Sequence, residues 1–153
     1  MIERKVGMKM SKNLQKKGTV ALDSNFLIYH IEGDESISSR TEELLNTWYG
    51  NGVQILMSVI AVTECFVDPF QRNDLHTCKL YEDFFNHVEN LSLVDMTKDI
   101  AMTAAKLRAD YGIRTPDGLH LATAINSGAD IFVTNDKRLK KVSEIKVVDI
   151  QEL

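Results

Sequence analysis

Four acidic residues have the types and positions expected of a site for a divalent cation: Asp23, Glu64, Asp117 and Asp136. Carboxylates that converge repel one another, so one of them should keep its proton above the usual pKa when no cation is present. A hard divalent cation relieves this repulsion, because it accepts oxygen ligands. It can also activate water and offset charge that develops on a phosphate. The four acids therefore suggest metal-assisted hydrolysis, provided that the fold brings them together.

Each acid also has a simpler explanation. Asp23 could cap the helix that follows it, Asp117 could interact with the positive end of a helix dipole, and Asp136 could form a turn. Glu64 is harder to explain, because it is the only charge in the largely apolar run 58–67. That run contains no Lys or Arg, and a buried carboxylate without a partner is costly. A metal gives a better reason for an acid at this position.

The apolar pattern predicts five short strands separated by helices. The strands are expected at 19–22, 53–57, 91–94, 131–134 and 146–150. Helices are expected after residue 23, at 38–49, from 58 to a break near Asp68-Pro69, at 74–88, from a cap at Thr97 to Gly112, and from a cap at Thr115 to 127–128. Pro116 would then occupy the first helical position of the last helix.

Strands that alternate with helices indicate an α/β fold, with a parallel sheet covered on both faces. In such sheets, ligands bind beyond the carboxyl ends of the strands. Asp23 directly follows the first predicted strand, and Asp136 lies two residues after the fourth. Glu64 lies about two helical turns after the second strand, and Asp117 lies in the first turn of the last helix. The acids therefore fall where a site is expected.

Four segments resemble the motifs of the PIN-domain family, in the family's order and spacing. They are residues 20–25 (VALDSN), 58–64 (SVIAVTE), 115–124 (TPDGLHLATA) and 134–139 (TNDKRL). The resemblance covers about 19–150 and is closest to the VapC-type toxin branch. Gly118 stands where alanine is more usual, which should not affect the chemistry. The acidic positions show no departure from the family pattern.

The resemblance implies a three-layer α/β/α sandwich with a mostly parallel five-stranded sheet. It also implies a Mg²⁺- or Mn²⁺-dependent endoribonuclease that cuts RNA. Members of this branch usually form homodimers and are silenced by an antitoxin encoded beside them. Aromatic side chains that could supply an apolar dimer face are Phe66, Phe70, Tyr81, Phe84 and Phe85.

Within such a site we expect Asp23 and Asp117 to bind the metal directly. Glu64 and Asp136 would bind it through water or position a second metal. The residues expected to orient the acids or the attacking water are Ser24, Asn25, Thr134 and Asn135. His120 falls one helical turn after Asp117 on the same face and could donate to that site, although a structural role is the first expectation for it. The cationic residues Lys137, Arg138, Lys140 and Lys141 could contact phosphates or form a solvated turn.

The charge of the chain is divided unevenly. Residues 1–17 contain six Lys and Arg against one Glu, a net charge of +5, so the rest of the chain carries −9. We expect residues 1–18 to form a disordered basic tail and 19–153 to form the nuclease domain. The tail could bind phosphates, but a solvated extension, or a start at Met8 or Met10, is the preferred interpretation. No apolar run is long enough to cross a membrane, so a cytoplasmic location is expected.

Three other functions compete with this interpretation of the sequence. A catalytically silent PIN-like module would bind RNA or protein without cutting, and the complete acid set argues against it. A phosphoryl-accepting receiver domain also places acids at strand ends, but it has two adjacent acids early in the chain. Asp23 has Leu22 and Ser24 as neighbours. A nucleotide-binding switch is weaker still, because the chain has no GxxxxGK[ST] loop.

Overall fold

A computed structural model of the chain describes residues 18–153. Its five strands are β1 (Thr19–Leu22), β2 (Gln54–Ser58), β3 (Leu91–Val94), β4 (Ile131–Thr134) and β5 (Lys146–Asp149). Its six helices are α1 (Ser24–Glu32), α2 (Glu35–Gly50), α3 (Ile60–Gln71), α4 (Leu75–His87), α5 (Lys98–Tyr111) and α6 (Thr115–Asn126). Two 3-10 helices, Lys137–Lys141 and Ile150–Glu152, flank β5. Residues 1–17 of the predicted basic tail lie outside the described residues, whereas the Gly18 carbonyl accepts a hydrogen bond from the Gln54 amide at 2.9 Å.

The strands form one sheet in the order β3-β2-β1-β4-β5, and every pair is parallel. The predicted five-stranded α/β architecture is therefore confirmed. The chain builds β1, β2 and β3 toward one edge and then returns to place β4 on the other side of β1. This reversal leaves a crevice beyond the carboxyl ends of β1 and β4, where parallel sheets bind ligands.

Two apolar cores cover the sheet, because successive strand residues point to opposite faces. In β1, Val20 and Leu22 pack into the core formed with α1 to α4, while Ala21 packs into the core formed with α5 and α6. Strand β4 alternates in the same way, with Val133 on the first face and Phe132 on the second. The result is the three-layer sandwich.

Local signals placed most helix boundaries correctly. Thr97 accepts a hydrogen bond from the Ile100 amide at 3.2 Å, and Gly112 ends α5 with a φ of 65°. The predicted break at Asp68-Pro69 is wrong: Pro69 is buried inside α3, which continues to Gln71. The predicted cap at Thr115 is also wrong. Arg114 precedes the first helical residue of α6, and its side chain does not cap the helix.

The predicted aromatic face is largely internal. Tyr81 and Phe84 are buried in the core, whereas Phe70 is exposed. Val67 and Leu75, on the same pair of helices as Phe70, are exposed as well. Among the described residues, no helix has the length and apolar character that a membrane crossing requires.

Candidate active site

Asp23 lies at the base of the crevice between β1 and β4. Its amide donates to the Val133 carbonyl at 3.0 Å, which continues the ladder of the sheet by one residue. The Thr134 hydroxyl donates to Asp23 Oδ2 at 2.8 Å, and the Ser24 hydroxyl donates to Oδ1 at 3.4 Å. The side chain is 5% exposed and makes no capping bond to α1. Capping therefore does not explain this acid.

His120 joins Asp23 to Glu64 across the crevice. Its Nε2 hydrogen-bonds Glu64 Oε1 and lies 3.8 Å from Asp23 Oδ1. The imidazole is 1% exposed, whereas the Glu64 side chain is 36% exposed. The partner of Glu64 thus comes from α6 rather than from its own run 58–67, and the Glu64 side chain is only partly buried. We call Asp23, Glu64, His120 and Thr134 the inner half of the site.

The inner half perturbs its own titrating groups. Burial raises the pKa of Asp23, and the charges of Glu64 and Asp117 act in the same direction, against His120 and Thr134. Burial acts to lower the pKa of His120, but the hydrogen bond to Glu64 and the charge of Asp23 outweigh it and leave that pKa raised. The imidazole is therefore held toward its protonated form, which neutralises part of the acid charge.

Asp117 and Asp136 form the other side of the site, each with an arginine of its own segment. Arg114 Nε donates to Asp117 Oδ2 at 3.3 Å. Arg138 donates twice to Asp136, from Nε at 2.9 Å and from a terminal nitrogen at 2.7 Å. These hydrogen bonds hold the pKa of Asp136 below its usual range. We call Asp117, Asp136, Arg114 and Arg138 the outer half of the site.

Asp136 also keeps a local role that the sequence suggested. Its Oδ1 accepts the Arg138 amide at 3.0 Å and so caps the 3-10 helix 137–141. Its own amide donates to the Thr134 hydroxyl at 3.0 Å. Thr134 therefore connects the backbone of Asp136 to the carboxylate of Asp23.

The remaining predicted supporting residues are less central. Asn135 donates to the Tyr29 hydroxyl at 3.1 Å, and none of the four acids is its partner. Among the hydrogen bonds of residues 18–153, the Asn25 side chain makes none to these acids. Of the four predicted supporting residues, Thr134 and Ser24 contact a site carboxylate.

The donors suit a hard cation in type but are held by basic groups in this structure. All four acids offer carboxylate oxygens, which Mg²⁺ and Mn²⁺ favour. Within residues 18–153, no three His, Cys, Asp or Glu side chains form a group ready to hold a metal ion together. His120, Arg114 and Arg138 instead supply positive charge to the carboxylates. A cation would take over part of this compensation.

The basic partners of the acids were predicted only in part. His120 was expected first to be structural, with donation to the site of Asp117 as the alternative, and its observed partner is Glu64. Arg114 was not singled out, and Arg138 was considered as a phosphate contact. Arg114 precedes Asp117 by three residues, a spacing that brings side chains together at a helix start. That spacing could have revealed the pair, whereas the contact between His120 and Glu64 spans 56 residues.

Several solved structures share this fold. A VapBC complex from Salmonella typhimurium, bound to DNA, has a TM-score of 0.69 at 18% identity over 87% of this chain and 98% of that one. FitAcB from Neisseria gonorrhoeae has 0.67 at 19% identity over 88% and 99%. VapBC2 from Rickettsia felis, bound to a promoter fragment, has 0.66 at 20% identity over 86% and 98%.

One of two sequence comparisons identifies a family for this chain. A search of curated proteins finds no match to this chain. The model of the PIN domain family matches residues 20–145, a span that begins within β1 and ends just before β5. That span includes all four acids and both halves of the site. The chain therefore belongs to the PIN-domain family.

Proposed function

We propose that this protein is a divalent-metal-dependent endoribonuclease that hydrolyses phosphodiester bonds of RNA. The observation that carries the proposal is that Asp23 and Glu64 both lie against His120, while Asp117 and Asp136 line one cleft. The pKa of Asp23 responds to the charges of Glu64 and Asp117, and the pKa of Asp136 responds to Arg114, the partner of Asp117. The four acids thus belong to one electrostatic unit.

In this proposal Asp23 and Asp117 hold Mg²⁺ or Mn²⁺ directly. Glu64 and Asp136 act through water or position a second ion. When bound, the cation supplies an activated water and offsets charge on the phosphate. Membership of the PIN-domain family and the oxygen-only donor set support this assignment.

Three side chains, those of Thr134, Ser24 and His120, hold the acids of the inner half in place. Thr134 fixes Oδ2 of Asp23 by its hydroxyl, and Ser24 lies against Oδ1. His120 holds Oε1 of Glu64 and carries a proton on Nε2 when it is protonated. Packing limits the motion of the imidazole, so Glu64 is kept near Asp23.

We further propose that the chain is the toxin of a cytoplasmic toxin–antitoxin pair, with an antitoxin protein as partner and a homodimer as its form. The support is the likeness to structures described as VapBC and FitAcB, and to a toxin–antitoxin complex from Klebsiella pneumoniae with a TM-score of 0.62 at 21% identity. The exposed side chains Val67, Phe70 and Leu75 give a partner an apolar surface to cover. Expression without a partner gene should arrest growth, and Asp117→Asn should remove the effect. Equal toxicity of that variant would contradict the toxin assignment.

Cleavage of a labelled single-stranded RNA by the purified protein tests the enzymatic proposal. We expect cutting with Mn²⁺ or Mg²⁺ and none in chelator, with loss of most of the rate in Asp117→Asn. Asp110→Asn is a matched control, because Asp110 is an exposed acid of the neighbouring helix α5 paired with Lys106. Full activity of Asp117→Asn, or equal losses in the two variants, would contradict the site.

The same assay separates the second candidate, a silent PIN-like module that binds RNA or protein. The basic partners of the carboxylates favour this candidate, since they can neutralise the acids without a metal. A silent module binds the RNA or a protein but leaves the RNA intact at every Mn²⁺ concentration.

A further inference from the structure

The outer half of the site contains a small cleft lined by both cationic and acidic side chains. Its volume is about 80 Å³, and its walls come from the loop before α6 and from the 3-10 helix 137–141. The charged residues of its lining are Arg114, Asp117, Asp136, Arg138 and Lys141. A water molecule needs roughly 10–15 Å³ of such space, so the cleft has room for a small anionic group.

We propose that Arg114 and Arg138 bind a backbone phosphate of the RNA strand and thereby place the neighbouring bond against the acids. This inference rests on the proposed ribonuclease function and assigns the residues that recognise its substrate. It also distinguishes the cations of the segment 137–141, because Lys140 pairs with Glu152 while Arg138 and Lys141 line the cleft.

The charge distribution requires local cations of this kind. Residues 18–153 contain 12 Lys and Arg against 21 Asp and Glu, so this part of the chain repels RNA overall. The acids of the site add to that repulsion. Binding of a phosphate beside them therefore depends on the few cations at the mouth of the site, namely Arg114, Arg138 and Lys141.

The two arginines keep donors available for a ligand. Arg114 is 73% exposed and Arg138 is 76% exposed, although each pairs with a carboxylate. Arg114 uses only Nε on Asp117, so both of its terminal nitrogens lack a partner within residues 18–153. The carboxylate partners of the two arginines are only 12% and 18% exposed, but the guanidinium ends lie in solvent, which weakens the two ion pairs. A guanidinium matches two phosphate oxygens with its planar fork, which lysine cannot do.

The backbone beneath both arginines is fixed. Arg108 of α5 donates from Nε to the Ile113 carbonyl at 3.1 Å and so anchors the loop that presents Arg114. Leu139 is buried next to Arg138 and anchors the 3-10 helix. Two fork-shaped donors are thus presented from fixed positions on opposite sides of one cleft. This arrangement favours phosphate recognition over the alternative that the cations of 137–141 form only a solvated turn.

Fluorescence anisotropy tests the proposal without turnover. The probe is a fluorescein-labelled single-stranded RNA of mixed sequence, titrated at several salt concentrations in chelator and again in Ca²⁺. We expect Arg114→Gln and Arg138→Gln each to weaken binding by about tenfold. The salt dependence should decrease by about 0.7 per lost contact. Lysine at either position should recover part of the affinity.

Arg40→Gln is the matched control, because Arg40 pairs with Glu43 at the same three-residue spacing on the distant segment α2. It removes the same charge and should leave affinity and salt dependence unchanged. Thermal melts exclude misfolding of the variants. In Mn²⁺, the arginine variants should raise KM more than they lower kcat.

Three outcomes would overturn the proposal. The Arg114 and Arg138 variants could lose no more RNA affinity than Arg40→Gln, or they could bind RNA more tightly than the wild type. The wild type could also fail to bind RNA both in chelator and in Ca²⁺. Its failure is distinguishable from failure of the ribonuclease function. If the wild type cuts RNA but the variants bind normally, only the phosphate-binding assignment fails. If the wild type binds RNA through the arginines but never cuts it, only the catalytic function fails.

Discussion

The inner and outer halves of the site solve the same electrostatic problem in different ways. Both place carboxylates at the end of a parallel sheet, and both compensate them with basic side chains. In the inner half the compensating group is His120, which is buried and held between two acids. In the outer half the groups are Arg114 and Arg138, whose side chains remain largely in solvent.

This difference separates a fixed part of the site from an exchangeable part. Breaking a buried charged contact leaves an uncompensated charge at high cost, so the inner half should keep its geometry. An exposed arginine pair contributes only about 0–1 kcal/mol, so the outer half can exchange its partners for a cation or a phosphate. We therefore expect the inner half to hold its carboxylates in place and the outer half to open toward ligands.

The largest expected effect is on cleavage, and it should differ between Asp23 of the inner half and Asp136 of the outer half. Asp23→Asn removes a buried carboxylate proposed to hold the metal, so the rate should fall by at least about 100-fold. Asp136→Asn alters an acid proposed to act through water, and the expected loss is about 10–100-fold. Single-turnover rates in Mn²⁺ measure both. Equal losses of rate would contradict the proposed difference between a direct metal ligand and an acid that acts through water.

The next effect is stabilisation by metal. A ligand at roughly 100 times its Kd stabilises the folded state by about 2.7 kcal/mol, which corresponds to a rise in Tm of about 5–10 °C. The wild type should show this rise with Mn²⁺, and Asp117→Asn should show much less. In chelator the variant should match or exceed the wild type, because one of several like charges is gone. A destabilised variant that responds normally to Mn²⁺ would contradict the role of Asp117.

A smaller effect concerns pH and belongs to the inner half alone. The pKa of His120 is raised above its ordinary value of 6.5, so the folded state binds its proton more tightly than the unfolded state. Stability from this contact is complete below 6.5 and is lost as pH rises through the folded pKa, by at most about 1.4 kcal/mol per pH unit. Urea titrations in chelator should show this decline, and His120→Gln should remove it. If the free energy of unfolding of the variant declined with pH as steeply as that of the wild type, the decline could not be assigned to His120.

The smallest effect should come from the basic segment 1–17. We propose that neither half depends on it, since the family match begins at residue 20. Deletion of residues 1–17 should change the free energy of unfolding by less than about 1 kcal/mol, a shift in Tm of less than about 4 °C. A larger loss would show that the segment packs on the domain and that the proposed boundary is wrong.

The sequence was most informative where a signal is local. Alternation of short apolar runs and helices predicted the parallel sheet, and the positions of Asp23 and Asp136 after strands predicted the crevice. Pro69 was misread because proline disfavours a helix interior in general, yet here it is buried and α3 continues for two more residues. Tertiary packing overrides a local propensity in such cases.

The basic side chains that pair with the site acids could not be predicted from local sequence, for a different reason. The contact of His120 with Glu64 depends on how α6 packs against β2 and β4, which no window of sequence contains. The cap position before α6 was predicted one residue too late, because threonine is a common capping residue; Arg114 occupies that position. The shift matters, because it leaves the Arg114 side chain free to reach Asp117.

The pairing of β1 with β4 also bears on when the site can exist. Thr134 and Asp23 lie 111 residues apart in sequence, yet their hydrogen bond forms part of the inner half. Contacts between distant residues form late, because the loop between them must first be closed. During synthesis, a nascent chain that has not yet released β4 from the ribosome has three of the acids but no crevice to hold them. The candidate site can therefore assemble only after β4 has left the ribosome and paired with β1.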